Sequence, residues 1–246
     1  MERRIGRTTN DERRKPFVLR RSSFVTRALH APRSTLYGLL GVILILVGYW
    51  QPWIPHRDSG LALTAWDLTE WIKFLPAWRA GKLGVQREAF YLPLVAAALA
   101  LSLMAARWRS RPARWALRGL AAILCLLALP YYPLILSAYR GGEGQLQFYL
   151  SLAGLALILL SPLARRWPAS WQGVGLVIAG VLGLIPPLWQ LAVLRPTVAQ
   201  LYAEPVGWGI GAILNSVGFG LIVLTGSKEW FAARSNLAYS TVVSSQ

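Results

Sequence analysis

Six long apolar stretches, separated by short polar or basic segments, dominate the pattern of hydrophobic positions along this chain. Most of them approach the ~20 residues that a helix needs to cross the hydrocarbon core of a bilayer. The pattern predicts an all-α fold, a polytopic membrane helical bundle of six transmembrane helices arranged as three helical hairpins. The predicted spans are residues 35–54, 91–106, 115–137, 146–163, 171–194 and 206–225.

Polar residues flank this six-helix domain, residues 35–226, on both sides. Residues 1–34 hold ten Lys and Arg side chains and few apolar ones, a composition that predicts a disordered basic tail. Residues 227–246 are predicted to form a second, C-terminal tail.

Composition supports the membrane assignment and explains the net charge of +16. Charged residues make up 15% of the chain, against roughly 25% in a soluble domain. With both tails in the cytoplasm, 19 of the 26 Lys and Arg residues lie inside, as the positive-inside rule requires. The basic excess therefore predicts membrane orientation and no nucleic-acid partner. The expected location is a plasma membrane, such as a bacterial inner membrane.

The one long external segment, residues 55–90, contains an amphipathic helix of its own. Leu68, Trp71, Ile72 and Leu75 fall on one helical face, Thr64 is suited to cap the helix start, and proline at position 76 interrupts it. The apolar face fits two arrangements equally well. The helix lies either on the outer surface of the membrane or against other helices of the protein.

An internal repeat is suggested by the match of FYLPLVAAALAL at 90–101 to FYLSLAGLALIL at 148–159. Proline, tryptophan and glycine positions in the following helices keep the same offset. The repeat would relate residues 90–137 to residues 148–194, so that one helical hairpin duplicates another.

Small residues at four-residue spacing predict close contacts between helices in the second half of the chain. Whether these faces meet within the chain or another subunit stays open at this point, the first arrangement being the commoner one. The residues predicted to pack in this way are Gly175, Ala179, Gly183, Gly207, Gly211, Ala212, Ser216 and Gly220.

Candidate chemistry is concentrated in the external segment. Its side chains offer carboxylates, an amine and an imidazole for acid–base or cation-binding roles, although a solvated helix face would present the same residues. The candidate external cluster consists of His56, Asp58, Asp67, Glu70 and Lys73. No catalytic constellation is recognised in the sequence.

The sequence predicts neither a cofactor nor a metal site. Cys125 is the only cysteine, which excludes multi-cysteine metal sites and intrachain disulfides. His30 and His56, the two histidines, are predicted on opposite sides of the membrane, which excludes a haem held by both.

Three functions remain compatible with these features. The favoured one is a non-catalytic accessory or structural subunit of a larger membrane complex, with membrane lipids and other proteins as partners. The alternative is a permease-like component of a transporter, driven in one version by a separate ATPase. The third is a membrane-bound enzyme that modifies lipids at the outer face, so the chain is predicted to be an enzyme only as the least favoured case.

Overall fold

Six helices of 16 or more residues form most of the part of the chain that the structure describes. The computed structural model describes residues 33–108, 110–142 and 144–243, with side chains to residue 235 apart from those of Arg33 and Ser59. Nearly all of the predicted N-terminal tail lies outside these residues. The helices are α1 Arg33–Trp50, α2 Ala65–Trp71, α3 Pro76–Arg79, α4 Leu92–Arg107, α5 Arg111–Leu127, α6 Ile135–Ala138, α7 Gln145–Leu160, α8 Ala169–Tyr202 and α9 Ile210–Val243.

The chain is mostly helical, and within the described residues four helices are long and apolar enough to cross a membrane. They are Arg87–Arg107, Gln145–Arg166, Ala169–Tyr202 and Ile210–Ser235. The first contains α4 and the 3-10 turn before it, the second contains α7 and the 3-10 turn after it, and the last is the first part of α9. Helix α1 is apolar but shorter, and α5 carries three arginines. The prediction of a membrane helical protein is supported, whereas six spans are not established by length and composition.

The predicted third span, residues 115–137, is wrong as a continuous helix. Helix α5 begins earlier, at Arg111, and ends at Leu127, and α6 begins only at Ile135. Pro130 and Pro133 lie in the break. Proline has no N–H to donate to the preceding turn and its ring clashes with that turn, so a helix ends more readily there.

Helix α4 lies at the centre of the bundle and is the most buried of the long helices. It packs against α1, α5, α7 and α8, while α9 packs against both α1 and α8. Its buried alanines allow four helices to approach it closely. The buried alanines are Ala96, Ala97, Ala98, Ala100, Ala105 and Ala106.

Glycines bring the backbones of α1, α8 and α9 together. A Cβ on Gly48 would lie 2.7 Å from the carbonyl oxygen of Gly211, and one on Gly211 would lie 2.6 Å from that of Gly48. Gly173 and Gly226 form the same reciprocal pair between α8 and α9, at 2.7 and 2.6 Å. Helix α9 therefore presents glycine to two neighbours, and both pairings are antiparallel.

Some of the small residues that were predicted to pack do face a neighbouring helix or are buried in the bundle, and others do not. Gly183 lies against the ring of Phe219, Gly211 lies in the α1–α9 contact, and Ala179 and Ala212 are buried. Gly175 faces Leu103 of α4.

Two of the predicted packing glycines make no such contact. A Cβ on Gly207 or Gly220 would meet no atom within 4 Å, so neither glycine is required for packing in this chain. The hydroxyl of Ser216 donates to the carbonyl oxygen of Ala212 in its own helix, at 2.7 Å. The four-residue spacing did not identify Gly173, Gly218 or Gly226, which do face partner backbone.

Residues 51–91 form a small layer, here called the outer layer, that covers one end of the bundle. Strands β1 Pro52–Ile54 and β2 Leu63–Thr64 pair antiparallel and lead into α2. The indole N–H of Trp53 donates to the carbonyl oxygen of Gly48 at 3.0 Å, and Gly209 N–H donates to the carbonyl oxygen of Trp53 at 2.9 Å. The layer is thus fixed to both α1 and the start of α9.

The apolar face of the amphipathic helix packs against the protein. Leu68 and Ile72 have no exposed surface and Leu75 is buried. Helix α2 begins after Thr64, as predicted, and gives way to a 3-10 turn, Ile72–Phe74, before Pro76. Of the two arrangements that the sequence allowed, the structure has the one in which the helix lies on the bundle.

The two halves of the suggested repeat occupy different surroundings. Most of α4 is buried, whereas only about a quarter of the span that contains α7 is buried. Helix α5 ends at Leu127, while its counterpart α8 continues past Pro186 and Pro187 to Tyr202. The repeat remains a prediction from sequence.

Candidate functional site

Asp67 of the candidate external cluster caps its own helix. Its carboxylate accepts hydrogen bonds from the backbone N–H of Thr64 at 3.0 Å and from the Thr64 hydroxyl at 2.7 Å. The Asp67 N–H in turn donates to the Thr64 hydroxyl oxygen at 3.2 Å. This reciprocal capping box satisfies two donors at the helix start, so Asp67 has a structural role in fixing α2.

Glu70 and Lys73 belong to an ion-pair network that continues to Arg87. The Lys73 amine pairs with the Glu70 carboxylate, whose second oxygen lies 3.8 Å from the Arg87 guanidinium. The Nε of Arg87 donates to Glu88 at 3.1 Å. Because only 2% of the Arg87 side chain is exposed, this cation depends on neighbouring carboxylates for its stability.

His56 and Asp58 lie at another part of the outer layer. The Asp58 backbone N–H donates to Nδ1 of His56 at 3.1 Å, and the Asp58 carboxylate is largely exposed. The His56 ring packs edge-on against Tyr202 with centroids 4.8 Å apart.

An open cleft of about 270 Å³ lies beside His56. The Tyr202 hydroxyl donates to the carbonyl oxygen of Leu61 at 2.8 Å, and Arg195 donates to the carbonyl oxygen of Val206 at 2.5 and 3.1 Å. The first bond ties the end of α8 to the outer layer, and the bonds of Arg195 tie the α8–α9 connection to α8. The lining residues are Pro55, His56, Arg57, Tyr202, Glu204, Pro205 and Val206.

The five candidate residues thus have three different sets of partners. Among the described residues, no group of three or more His, Cys, Asp and Glu side chains is placed to hold a metal ion. The structure gives Asp67 a capping role and places Glu70 and Lys73 in the ion-pair network.

A second outer groove, of about 500 Å³, lies between the outer layer and the start of α7. Trp78 lines it, and its indole N–H is held by the carbonyl oxygen of Val85 at 3.0 Å. Arg87, Glu88 and Gln145 supply the polar part of the lining.

At the opposite end of the bundle, an ion pair that the sequence analysis missed joins α4 to α9. The guanidinium of Arg107 pairs with the carboxylate of Glu229, and the two side chains are 13% and 12% exposed. The Nε of Arg107 also donates to Gln172 of α8 at 2.9 Å, and the Gln172 amide donates to the carbonyl oxygens of Ala164 and Trp167. These side chains connect three helices.

Sequence position concealed this pair because Arg107 begins a basic segment and Glu229 lies in the predicted C-terminal tail. In the structure, α9 continues as one helix through residue 229. Arg118 is similar: it is buried, and its Nε donates to the Ser161 hydroxyl at 3.1 Å.

Asn215 has an unusual position in the middle of α9. It has no exposed surface, and neither its amide nitrogen nor its amide oxygen has a hydrogen-bond partner. A polar side chain at such a depth ordinarily bonds to a neighbouring helix, and the described residues provide no such bond.

Three exposed aromatic side chains on the same side of the protein as the ion-pair network are here called the outer aromatic patch: Phe74, which follows Lys73 in sequence, and Tyr131 and Tyr132. Each is more than half exposed. The Lys73 amine lies 5.8 Å from the Tyr131 ring centroid, and the Arg79 guanidinium lies 5.9 Å from that of Phe74. The patch therefore combines aromatic rings with cations.

Comparison with protein-family models, with curated proteins and with solved structures finds no match to this chain. A functional assignment for this chain therefore has to be argued from the geometry and chemistry of the described residues.

Proposed function

We propose that this chain is a six-pass membrane protein that serves as a non-catalytic accessory subunit of a larger complex in a plasma membrane such as a bacterial inner membrane. The two additional crossings are α1 and α5. Helix α1 has 18 residues, about 27 Å of rise, which is close to the hydrocarbon thickness of ~30 Å. In α5, Arg111 and Arg114 lie in the first turns, where long side chains extend to the lipid headgroups.

Charge distribution supports cytoplasmic tails in this proposal. Nineteen of the 26 basic residues then lie on the cytoplasmic side, and the outer layer faces outward. The antiparallel contacts of α9 with α1 and α8 are compatible with this arrangement.

The observation that carries the accessory role is the outer aromatic patch on a rigid support. Tyrosine and arginine are enriched among residues that dominate protein–protein binding, and large aromatic rings in a cluster gain most from removal of water. The support is fixed by the Asp67 cap and by the Glu70, Lys73 and Arg87 ion pairs. These carboxylates stabilise structure, which favours a binding surface over an acid–base site.

The test is purification of the full chain, tagged after Gln246, from native membranes in a mild detergent, with mass spectrometry of co-purifying proteins. We compare wild type with the double variant Phe74→Ala/Tyr132→Ala. The matched control is Leu159→Ala/Trp189→Ala, which removes exposed apolar side chains from the helical surfaces of α7 and α8.

We expect a stoichiometric partner with wild type and control, and at least about tenfold less of it with the patch variant, as for loss of 1.4 kcal/mol or more. A chain that purifies alone would refute the accessory role. A partner retained by the patch variant would place its binding site elsewhere on the protein.

Asn215 favours the permease-like alternative as a second candidate. A buried amide without a hydrogen-bond partner is costly and calls for a ligand or a functional explanation. Flux of small solutes into liposomes, with and without co-purified partners, tests this role against the variant Asn215→Leu. Transport that the variant abolishes would support the permease-like role. Absence of flux for every solute class tested would refute that role.

A further inference from the structure

A small cavity of about 150 Å³ lies between α1 and α9, at the end of the bundle near Arg107 and Glu229. Its lining combines polar and apolar side chains. They are Ser34, Tyr37, Leu221, Leu224, Thr225 and Lys228.

Lys228 provides the one cationic group among these lining residues. It is exposed, its amine lies 5.8 Å from the ring centroid of Tyr37, and no carboxylate of the described residues lies within 4 Å of it. The nearby Thr225 hydroxyl already donates to the carbonyl oxygen of Leu221 at 2.8 Å. The Lys228 amine is therefore the cation on this wall that is available to an anion.

The other side of the cavity is apolar and continues into the exposed lateral surface of the helix bundle. Leu224 is 58% exposed and Tyr37 is 53% exposed. A small soluble anion would gain nothing from these groups, whereas an acyl chain would bury them. The cavity holds about five times the ~30 Å³ share of one water, enough for a phosphate with part of a glycerol, while the chains lie along the surface.

We propose that this cavity binds an anionic phospholipid of the inner leaflet, with its phosphate on the Lys228 amine and an acyl chain along Leu221 and Leu224. The proposal rests on the cytoplasmic orientation of the tails given under the proposed function, but not on any protein partner. Basic pockets between transmembrane helices on the cytoplasmic side are suited to such headgroups. A zwitterionic lipid would fit less well because its own ammonium offsets the attraction of the phosphate.

The test measures lipid binding to the purified full chain by native mass spectrometry, with phosphatidylglycerol or phosphatidylcholine of identical chains added in detergent. The variants are Lys228→Gln and Leu224→Asn. The matched control is Arg234→Gln, which removes a cation from the same helix that does not line the cavity. Inorganic phosphate is added in a separate series to compete with the lipid.

We expect wild type and Arg234→Gln to retain phosphatidylglycerol over phosphatidylcholine, and Lys228→Gln to lower phosphatidylglycerol binding about fivefold. Leu224→Asn should weaken binding of the lipid, because it removes apolar surface from the proposed acyl-chain contact. The same variant should not bind inorganic phosphate more tightly than wild type does. Equal binding of the two lipids by wild type, equal loss in both cation variants, or full displacement by millimolar phosphate would overturn the proposal. None of these readouts depends on whether a protein partner exists.

Discussion

Gly41 and Gly218 meet so closely that a Cβ on the first would lie 2.6 Å from the carbonyl oxygen of the second, and the reverse distance is 2.5 Å. Each is seven residues from another glycine in the same contact, since Gly48 faces Gly211. The α1–α9 interface is thus built on backbone-to-backbone contact at two successive levels.

Gly218→Ala is therefore expected to destabilise the protein by about 1–3 kcal/mol, the cost of overpacking a filled interface. The neighbouring backbone must move, because the contact is with a carbonyl oxygen and not with a flexible side chain. Thermal unfolding in detergent measures the effect. Gly220→Ala is the control, since its Cβ would meet no atom within 4 Å, and equal loss in the two variants would contradict the assignment.

Glu229→Ala is expected to lower the free energy of unfolding by about 3 kcal/mol, because it leaves the Arg107 guanidinium buried without its carboxylate. The double variant Arg107→Met/Glu229→Leu should recover most of this loss, since an apolar pair has no charge to desolvate. Denaturant unfolding of wild type, Glu229→Ala and the double variant measures the loss and its recovery. An exposed carboxylate, Glu204→Ala, is the control, and a double variant no better than Glu229→Ala would argue against a buried pair.

Asp67→Ala is expected to cost about 1 kcal/mol through loss of the α2 cap. Thr64→Ala should cost a similar amount, and the double variant less than their sum, because both side chains serve one capping box. Unfolding measurements report the three values. Asp58→Ala, at a largely exposed carboxylate, should change stability by less than about 0.5 kcal/mol.

Membrane orientation can be tested by labelling introduced cysteines with a membrane-impermeant maleimide. Lys82→Cys should react in intact cells, whereas Arg165→Cys should react only after the membrane is opened. The native Cys125 is buried and should stay unlabelled in the folded protein, which keeps the background low. The opposite pattern would reverse the proposed orientation.

Features that depend on neighbours in sequence could be predicted for this chain. The Thr64 cap and the apolar face of α2 are local, because a cap bonds residues three apart and a helix repeats every 3.6 residues. The general location of the long helices followed from hydropathy for the same reason.

Features that depend on tertiary partners could not be predicted in this way. Arg87 and Glu229 look like ordinary flanking charges until the helices that bury them are placed. Likewise, small-residue spacing indicated Gly207 and Gly220 but not Gly226, because the face of a helix that meets a neighbour is decided by the neighbour.

The length of α8 has a consequence for any partner. Its 34 residues rise about 51 Å, roughly 20 Å more than the hydrocarbon core requires. In the orientation proposed above, with Arg165 and Arg166 on the cytoplasmic side, most of the excess extends outward, where Tyr202 reaches the carbonyl oxygen of Leu61. That orientation places the cleft beside His56 in the aqueous phase. A protein that lies wholly within the lipid could not touch it, whereas a partner with an extramembrane domain could.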